Sequence, residues 1–416
     1  MRYTLYGDGI HDDTAAIQEM IDSGVNEVVL PSPEKFYLIS KPLELPSNFR
    51  LVLPRFAEIR LAANSNCVMV RNKMVRDYAK RMEDDVYERP VTAHLWGYVD
   101  DYSPNAPCRN IELCGGIWNC NNQEQIGNPE RTKDFSVREF YSCGMLFYNV
   151  TNFKLCNLTI KDPTAYGVTL DTVSYFTVDD ITFDYNDGNP YPVNMDGIHL
   201  DGNCHYGVIN NLKGTCYDDL VALNAHEGSR GDITNIDISN IHAEYCHSAV
   251  RLLLVRQNIK NIRISNVYGN FYQYCIGLTK VYPGETTGYF DAVSIDNVYA
   301  AKAMPVRKGD FAHPRCAPED SLRLLWIQKD TVVKNLSVSH WHRRENTLAQ
   351  ELIRVDDGGL VNRMILSDIV SENYTGKPMP LLYNMGVIKY LSTRDLDSGE
   401  DKVIVNEGTI EKHKDH

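Results

Sequence analysis

A pattern of apolar residues at a first, third and sixth position recurs eight times along the chain. Asn or Asp usually lies between the third and sixth positions, and both residues tolerate the left-handed backbone of a turn. Each set therefore predicts a short strand that bends at a polar turn. The eight sets are Phe153/Leu155/Leu158, Phe176/Val178/Ile181, Gly207/Ile209/Leu212, Ile236/Ile238/Ile241, Ile262/Ile264/Val267, Val293/Ile295/Val298, Leu336/Val338/Trp341 and Met364/Leu366/Ile369.

A second series of alternating apolar pairs runs in phase with the first. Two strands of period 2 per repeat, with no helical stretch between them, predict an all-β fold built from coils of a parallel β-solenoid. Stacking of the coils would create the core, because one coil cannot bury its own apolar face. The consensus of leucine-rich repeats is absent from this sequence. A propeller would need tight hairpin signals such as Asn-Gly, which the sequence also lacks. The pairs are Val168/Leu170, Ile198/Leu200, Val221/Leu223, Val250/Leu252, Ile276/Leu278, Leu325/Ile327 and Ile353/Val355.

The two ends of the chain depart from the repeat. Asp12 or Asp13 can act as the N-cap of a short amphipathic helix that starts at Ala15, and this helix would close the open end of the solenoid. Helix capping explains the His11-Asp12-Asp13 cluster better than a metal does. The predicted organisation is a cap with the first strands at 1–70, a loop excursion that walls a groove at 71–107, the solenoid at 108–375, and a C-terminal cap and tail at 376–416. The first strands are expected at Glu27–Leu30, Phe36–Ile39, Arg50–Leu53 and Glu58–Leu61.

Composition narrows the class of protein. The chain has 416 residues and a formal net charge of -13, which argues against nucleic acid as a partner. It has no apolar run long enough for a membrane span and no apolar core of a signal peptide at its start, so we expect a cytoplasmic protein. Its eleven cysteines include no Cys-x-x-Cys pair, which favours reduced thiols and no zinc site. No cofactor or metal is expected, and the oligomeric state is not indicated.

Two acidic runs suggest the chemistry. Asp196 lies two residues before Ile198, and Asp219 lies two residues before Val221, so stacking of these strands would bring their carboxylates within about 5 Å. Asp218 would join them, and crowding of like charges raises the pKa of at least one carboxyl group. Three such acids form an acid/base device suited to cleavage of a glycosidic bond. The alternative is that these three Asp residues only form turns.

The same runs carry a family resemblance. Gly7-Asp8-Gly9 with Asp12-Asp13-Thr14 resembles the opening of pectate-lyase-superfamily proteins. Asn194-Met195-Asp196-Gly197, Asp218-Asp219 and Val250-Arg251-Leu252 resemble the Asn-Thr-Asp-Gly, Gly-Asp-Asp and Arg-Ile-Lys segments of glycoside hydrolase family 28, the polygalacturonase family. The resemblance implies a right-handed parallel β-helix and an inverting glycosidase. It implies Asp218 as the general acid, with Asp196 and Asp219 activating the water.

The departures from that family concern basic residues. The Gly-His-Gly motif is missing, and only 33 residues separate Asp218 from Arg251, so the coil that would carry it looks deleted or rebuilt. Leu253 stands where the family has Lys. These residues would grip a galacturonate carboxylate, so the resemblance implies a glycosidase more firmly than polygalacturonase activity.

Strand alternation indicates further groove residues. Arg251 is the main candidate for a sugar or carboxylate anchor, with a structural ion pair to Asp201 as its alternative. His199 is expected either to contact substrate or to brace Asp196. His226-Glu227 either replaces the lost histidine or forms a solvent loop, and Tyr166 and Tyr274 either stack on sugar rings or fill the groove. The remaining predicted substrate-binding residues are Asn194, Asp201 and Asn224.

Three classes of function follow. The first is a glycosidase acting on pectin-related or other plant or microbial oligosaccharides. The second is a polysaccharide lyase in which Asp196, Asp218 and Asp219 would hold Ca²⁺ and Arg251 would act as the base. The third is a non-catalytic, tailspike-like solenoid that binds glycans.

Overall fold

A computed structural model describes residues 3–73, 75, 107–125, 143–185, 195–282, 284–304 and 323–416. The described chain forms two compact units, Met1–Val208 with Glu227–Arg230, and Ile209–His226 with Gly231–His416. Each unit is a stack of coils of a parallel β-helix, so the predicted fold class is confirmed. No helix among these residues has the length and apolar character needed to cross a membrane.

The first unit carries the helix α1 (Thr14–Ile21), a short 3-10 helix at Asn122–Glu124 and thirteen complete strands in its described part. Strands β1, β4, β7, β10 and β12 follow one another in one parallel sheet, and β3, β6, β9, β11 and β13 do so in the other. Strands β2, β5 and β8 pair in series and join β10. The strands are β1 (Glu27–Val29), β2 (Tyr37–Ile39), β3 (Leu43–Leu45), β4 (Phe49–Val52), β5 (Glu58–Leu61), β6 (Val70–Asn72), β7 (Cys108–Cys114), β8 (Ile117–Asn119), β9 (Cys143–Tyr148), β10 (Val150–Lys161), β11 (Tyr166–Asp171), β12 (Ser174–Asp184) and β13 (Ile198–Leu200).

The second unit repeats the arrangement of two parallel sheets. Strands β16, β18, β20, β22, β24, β26 and β28 form one parallel sheet, and the seven odd-numbered strands β15–β27 form the other. Strand β14 (His205–Thr215) begins in the first unit and ends in the second. The strands are β15 (Asp219–Asn224), β16 (Ile233–Cys246), β17 (Ser248–Leu253), β18 (Ile259–Phe271), β19 (Ile276–Thr279), β20 (Phe290–Lys302), β21 (Leu325–Ile327), β22 (Val332–Glu345), β23 (Ile353–Val355), β24 (Leu360–Asn373), β25 (Leu382–Asn384), β26 (Val387–Asp397), β27 (Ile404–Asn406) and β28 (Thr409–Asp415).

The core of the second unit lies between these two sheets. Equivalent positions of the repeat pair in register, as Ile238 does with Ile264, and both side chains are fully buried. Burial of such a side chain contributes about 1.5–3 kcal/mol, and the repeat supplies one at every inward position. The predicted polar turns are also present, since Asn240 and Asn266 have φ near 57° and the Asn266 side chain donates to Asn240 at 2.9 Å.

The N-terminal helix starts at Thr14, with Asp13 at the N-cap position, but the Asp13 side chain makes no capping bond. It is fully buried and accepts hydrogen bonds from the backbone of Tyr6 and Gly7. Asp12 binds the Thr14 backbone instead, at 2.8 Å. The buried carboxylate therefore holds the preceding turn, which the local sequence alone did not show.

The predicted segment boundaries stay predictions. Strands β25 to β28 continue both ladders through the segment predicted as a C-terminal cap and tail. The predicted excursion at 71–107 lies almost wholly outside the described residues. The ten cysteines in the described ranges are all free thiols.

Candidate active site

The first unit contains a buried histidine held by three carboxylates. His199 lies at the centre of β13, between Ile198 and Leu200 of the core, so its side chain points away from the core. Its Nδ1 is 2.6 Å from Asp196 Oδ2. Its Nε2 is 3.3 Å from Asp201 Oδ1 and 3.2 Å from Glu227 Oε2. A single strand and the loop at Glu227 thus assemble the cluster.

These contacts determine the charge of His199. Burial alone would lower the pKa of His199, but the hydrogen bonds to Asp196, Asp201 and Glu227 raise it well above its usual value. The ring is 1% exposed and packs on Tyr166, with 4.2 Å between the ring centroids. His199 is therefore an imidazolium that orients Asp196, and this geometry favours the bracing role over substrate contact.

A fourth carboxyl group, that of Asp171, lies beside this cluster. Asp171, which ends β11, accepts hydrogen bonds from the Ser229 backbone at 2.9 Å and from Thr172 Oγ1 at 2.7 Å. Complete burial and the negative charge of Asp201 raise the pKa of Asp171 to about 8. Gly228 has φ 54°, and a Cβ there would lie 2.4 Å from Asp201 Oδ2, so a larger residue cannot close this turn. Asp171 carries a proton at neutral pH.

The second unit contains the Asp218-Asp219 pair at the start of β15. Asp219 is fully buried, and its Oδ2 accepts a hydrogen bond from Arg251 Nη1 at 3.1 Å. Its Oδ1 accepts one from Tyr274 Oη at 2.7 Å and another from Ser248 Oγ. Asp218 is slightly more exposed, at 7%. The two adjacent carboxyl groups therefore have different environments. Hydrogen-bond donors enclose Asp219, and Asp218 lies nearer to the surface.

The donors fix the protonation state of Asp219. Burial would raise the pKa of Asp219, but the Arg251 guanidinium and the neighbouring His247 outweigh burial and hold that pKa below its usual range. Burial and the charge of Asp219 raise the pKa of Tyr274 well above its usual value, so its hydroxyl stays a donor. This environment favours the ionised form of Asp219.

The sequence analysis missed His247. Its Nδ1 lies 3.4 Å from Asp218 Oδ1 and 3.8 Å from Asp219 Oδ1, and the ring sits between Tyr272 and Tyr274. The next coil therefore supplies a histidine beside the acid pair, although the Gly-His-Gly motif is missing from the sequence. The signal was available, because the predicted pairing of Val221 with Val250 places His247 opposite Asp218.

The structure also separates some predicted partners. Arg251 contacts Asp219, in place of the alternative ion pair with Asp201. His226 lies 3.0 Å from Gln257 and near the Tyr282 ring, so it does not join Asp218 as the missing histidine. Glu227, the other half of that pair, contacts His199.

Three of the four remaining predicted residues can be placed. Tyr166 and Tyr274 are each 4% exposed and fully engaged by protein contacts, which fits their alternative role of filling the groove. Asn224 is buried at the end of β15, paired in register with Leu253. Asn194 lies outside the described residues.

Among the described residues, three groups have ligand atoms within 4.8 Å of one another, close enough to surround a metal ion. One is Glu112, Cys114 and Cys156, away from the acids. The other two belong to the candidate site and are His199, Asp201 and Glu227 in the first unit, and Asp218, Asp219 and His247 in the second. In the first group, the His199 ring is already in contact with all three carboxylates. In the second group, Arg251 already pairs with Asp219. Protein groups therefore engage the carboxylates in both sets.

One protein-family model matches the part of the chain that contains both groups of acids. Residues 110–267 match the model of glycosyl hydrolases family 28, which confirms the resemblance noted from the sequence and supports a glycoside hydrolase. No curated protein matches the chain.

Solved structures show the same fold at low sequence identity. The family 28 exopolygalacturonase of Yersinia enterocolitica is 13% identical with a TM-score of 0.56, covering 100% of this chain and 77% of that one. The endo-xylogalacturonan hydrolase of Aspergillus tubingensis is 15% identical with a TM-score of 0.51, covering 98% of each chain. The surface protein and adhesin PfbA of Streptococcus pneumoniae is 16% identical with a TM-score of 0.56, covering 100% and 98%.

Proposed function

We propose that this chain, in which residues 110–267 match glycoside hydrolase family 28, cleaves an oligosaccharide by inverting acid/base catalysis with Asp196, Asp218 and Asp219. The observation that carries the proposal is the contrast between two adjacent acids. Asp219 is fully buried and paired with Arg251 at 3.1 Å, while Asp218 is 7% exposed and lies 3.4 Å from His247 Nδ1. One acid is thus suited to hold charge and the other to carry a proton.

The division of roles follows from these environments. Asp218 donates its proton to the leaving-group oxygen. Asp219 and Asp196 orient and deprotonate the attacking water, and inverting enzymes need such a carboxylate on the face opposite the acid. His199 Nδ1 lies 2.6 Å from Asp196 Oδ2 and orients that carboxyl group. His247 and Tyr274 hold the acid pair in place from the next coils.

The test is Asp218→Asn, which keeps the size of the side chain but removes the proton. We expect turnover to fall by roughly 10²–10⁴-fold, since that is the usual contribution of a general acid. Ligand binding and the circular dichroism spectrum should stay unchanged. Asp357→Asn, at an exposed position on the same unit, is the matched control. Activity within a few-fold of wild type would remove Asp218 from this role.

Product stereochemistry tests the mechanism separately. Proton NMR of the first-formed sugar should show an anomer inverted relative to the substrate. A retained anomer would exclude water activation by Asp196 and Asp219.

Substrate charge gives a further prediction. Arg251 is the basic residue that the sequence offered as a carboxylate anchor, and its guanidinium is already engaged by Asp219. Long polygalacturonate should therefore be a poor substrate, and short or largely neutral pectin-related oligosaccharides should be better ones. Reducing-sugar release from matched charged and neutral substrates would measure this, and fast cleavage of long polygalacturonate would contradict it.

A non-catalytic glycan-binding β-helix is the second candidate, because one solved structure with this fold is named an adhesin. That function predicts glycan binding without turnover on any glycan. The lyase alternative predicts loss of activity in chelator and unsaturated, ultraviolet-absorbing products. A glycan screen with and without chelator distinguishes the three.

A further inference from the structure

A row of outward-facing positions on the second unit runs from the Asp219 site towards the C-terminus. Its members pair in register on consecutive strands from β17 to β25. The residues that flank Trp326 on its strand, Leu325 and Ile327, are fully buried in the core, so Trp326 points away from the core. The row consists of Arg251, Gly277, Trp326, Arg354 and Tyr383.

Protein contacts connect this row to the acid pair. The Tyr274 hydroxyl donates to Asp219, and the Tyr274 ring lies 5.8 Å from the Trp326 ring. Trp326 Nε1 donates to Asp356 Oδ2 at 2.8 Å, and Arg354 Nε donates to Asp356 Oδ1 at 2.8 Å. Asp356 therefore fixes both Trp326 and Arg354. These contacts hold the half-buried Trp326 ring and the Arg354 guanidinium in place.

The row carries little unbalanced charge. Arg354 Nη1 lies 2.9 Å from Glu351, and Arg323 lies 2.6 Å from the same carboxylate. The Arg354 guanidinium also lies over the Tyr383 ring, 5.4 Å from its centroid. Because carboxylates already engage these cations, they are poor partners for a second anion. Aromatic faces with balanced polar groups instead suit the apolar faces and hydroxyl groups of a neutral sugar.

We propose that Trp326, Arg354 and Tyr383 form a row of subsites that binds uncharged pyranose units of an oligosaccharide on one side of Asp219. Neighbouring strands of a sheet lie about 4.8 Å apart, a spacing comparable to the length of one pyranose unit, so successive units meet successive strands. The inference rests on the proposed glycosidase function, because it extends that site. It adds the class of sugar and the direction in which the chain lies.

The test measures binding separately from turnover. Isothermal titration of Asp218→Asn with neutral galacto-oligosaccharides of increasing length is compared with oligogalacturonates of the same lengths. The same titrations are repeated with Trp326→Ala added, and with Tyr390→Ala added as a control. Tyr390 is a half-buried tyrosine on the other sheet of the same unit, where it lies near Arg363. Wild-type turnover of both series is measured in parallel.

We expect affinity for the neutral series to rise with chain length, and Trp326→Ala to remove that gain with roughly tenfold weaker binding, about 1.4 kcal/mol. Tyr390→Ala should bind as Asp218→Asn alone does. Tighter binding of the oligogalacturonates, or length-dependent binding that persists in Trp326→Ala, would overturn the proposal. If wild type hydrolyses a glycan while Trp326→Ala changes nothing, the row fails and the glycosidase stands. If Trp326-dependent binding occurs without any hydrolysis, the glycosidase fails and the row stands.

Discussion

Replacement of Asp171 by Asn should make the protein less sensitive to rising pH. Asp171 is fully buried, and its pKa is raised to about 8 from the ordinary 3.8 by burial and by the charge of Asp201. Asn resembles the protonated acid in shape. It can still accept from the Ser229 backbone through its carbonyl oxygen, so we expect the fold to be retained.

The size of the effect follows from proton linkage. Between pH 4 and 8 the folded protein holds a proton on Asp171 that the unfolded chain has lost, so the free energy of unfolding falls as pH rises. One proton is worth about 1.4 kcal/mol per pH unit. The Asn variant lacks this loss. Its stability relative to wild type should therefore grow by about 4 kcal/mol from pH 5 to pH 8 and then level off.

The assay is urea unfolding of both proteins at several pH values, followed by circular dichroism. The difference between the two proteins isolates Asp171, because contributions from distant titrating groups cancel. Infrared spectra provide a direct check, since the C=O stretch of a buried protonated acid should be present in wild type at pH 6 and absent from the variant.

Asp395→Asn is the control, because the Asp395 side chain is 73% exposed. Its stability difference from wild type should stay flat over the same pH range. A flat difference for Asp171→Asn as well would show that Asp171 is ionised in the folded protein and would refute the reasoning.

Two further predictions concern the second unit. Glu345→Ala should lower the free energy of unfolding by about 3–5 kcal/mol. The reason is that the fully buried Arg343, which contacts Glu345 at 2.6 Å, loses its carboxylate partner. Urea unfolding measures this, and a loss no larger than that of the exposed Glu411→Ala would contradict it. Gly277→Ala should lower kcat with the fold intact, because a Cβ there would lie 2.8 Å from the Tyr274 ring and displace its hydroxyl from Asp219. Tyr274→Phe should reproduce that loss, and unchanged kcat in both variants would argue against a positioning role for the hydroxyl.

Much of the fold was predictable because the repeat is encoded locally. The pairing of Ile262 with Val293, and of Val293 with Leu336, follows from the apolar positions alone. The polar turn could also be predicted from the sequence, since Asn297 adopts the left-handed backbone that its residue type tolerates. Strands β3 and β6, each of three residues, were not among the predicted strands.

The candidate site was predictable only in part. The sequence indicated the acids at Asp196, Asp218 and Asp219 because they precede alternating strands. It missed His247, which becomes visible only when the strand register is extended backwards to Asp218. It also paired His226 with Glu227 by adjacency, whereas their side chains contact different residues.

The sequence by itself determined the repeat, the inward apolar positions and the acidic runs, because each depends on residues a few positions apart. Only the tertiary structure decided which acids are charged. Asp219 is ionised because Arg251 and His247 arrive from the next coil, and Asp171 is protonated because burial and Asp201 oppose its charge. Protonation depends on desolvation and on the distance between charges, and residues far apart in the chain set both.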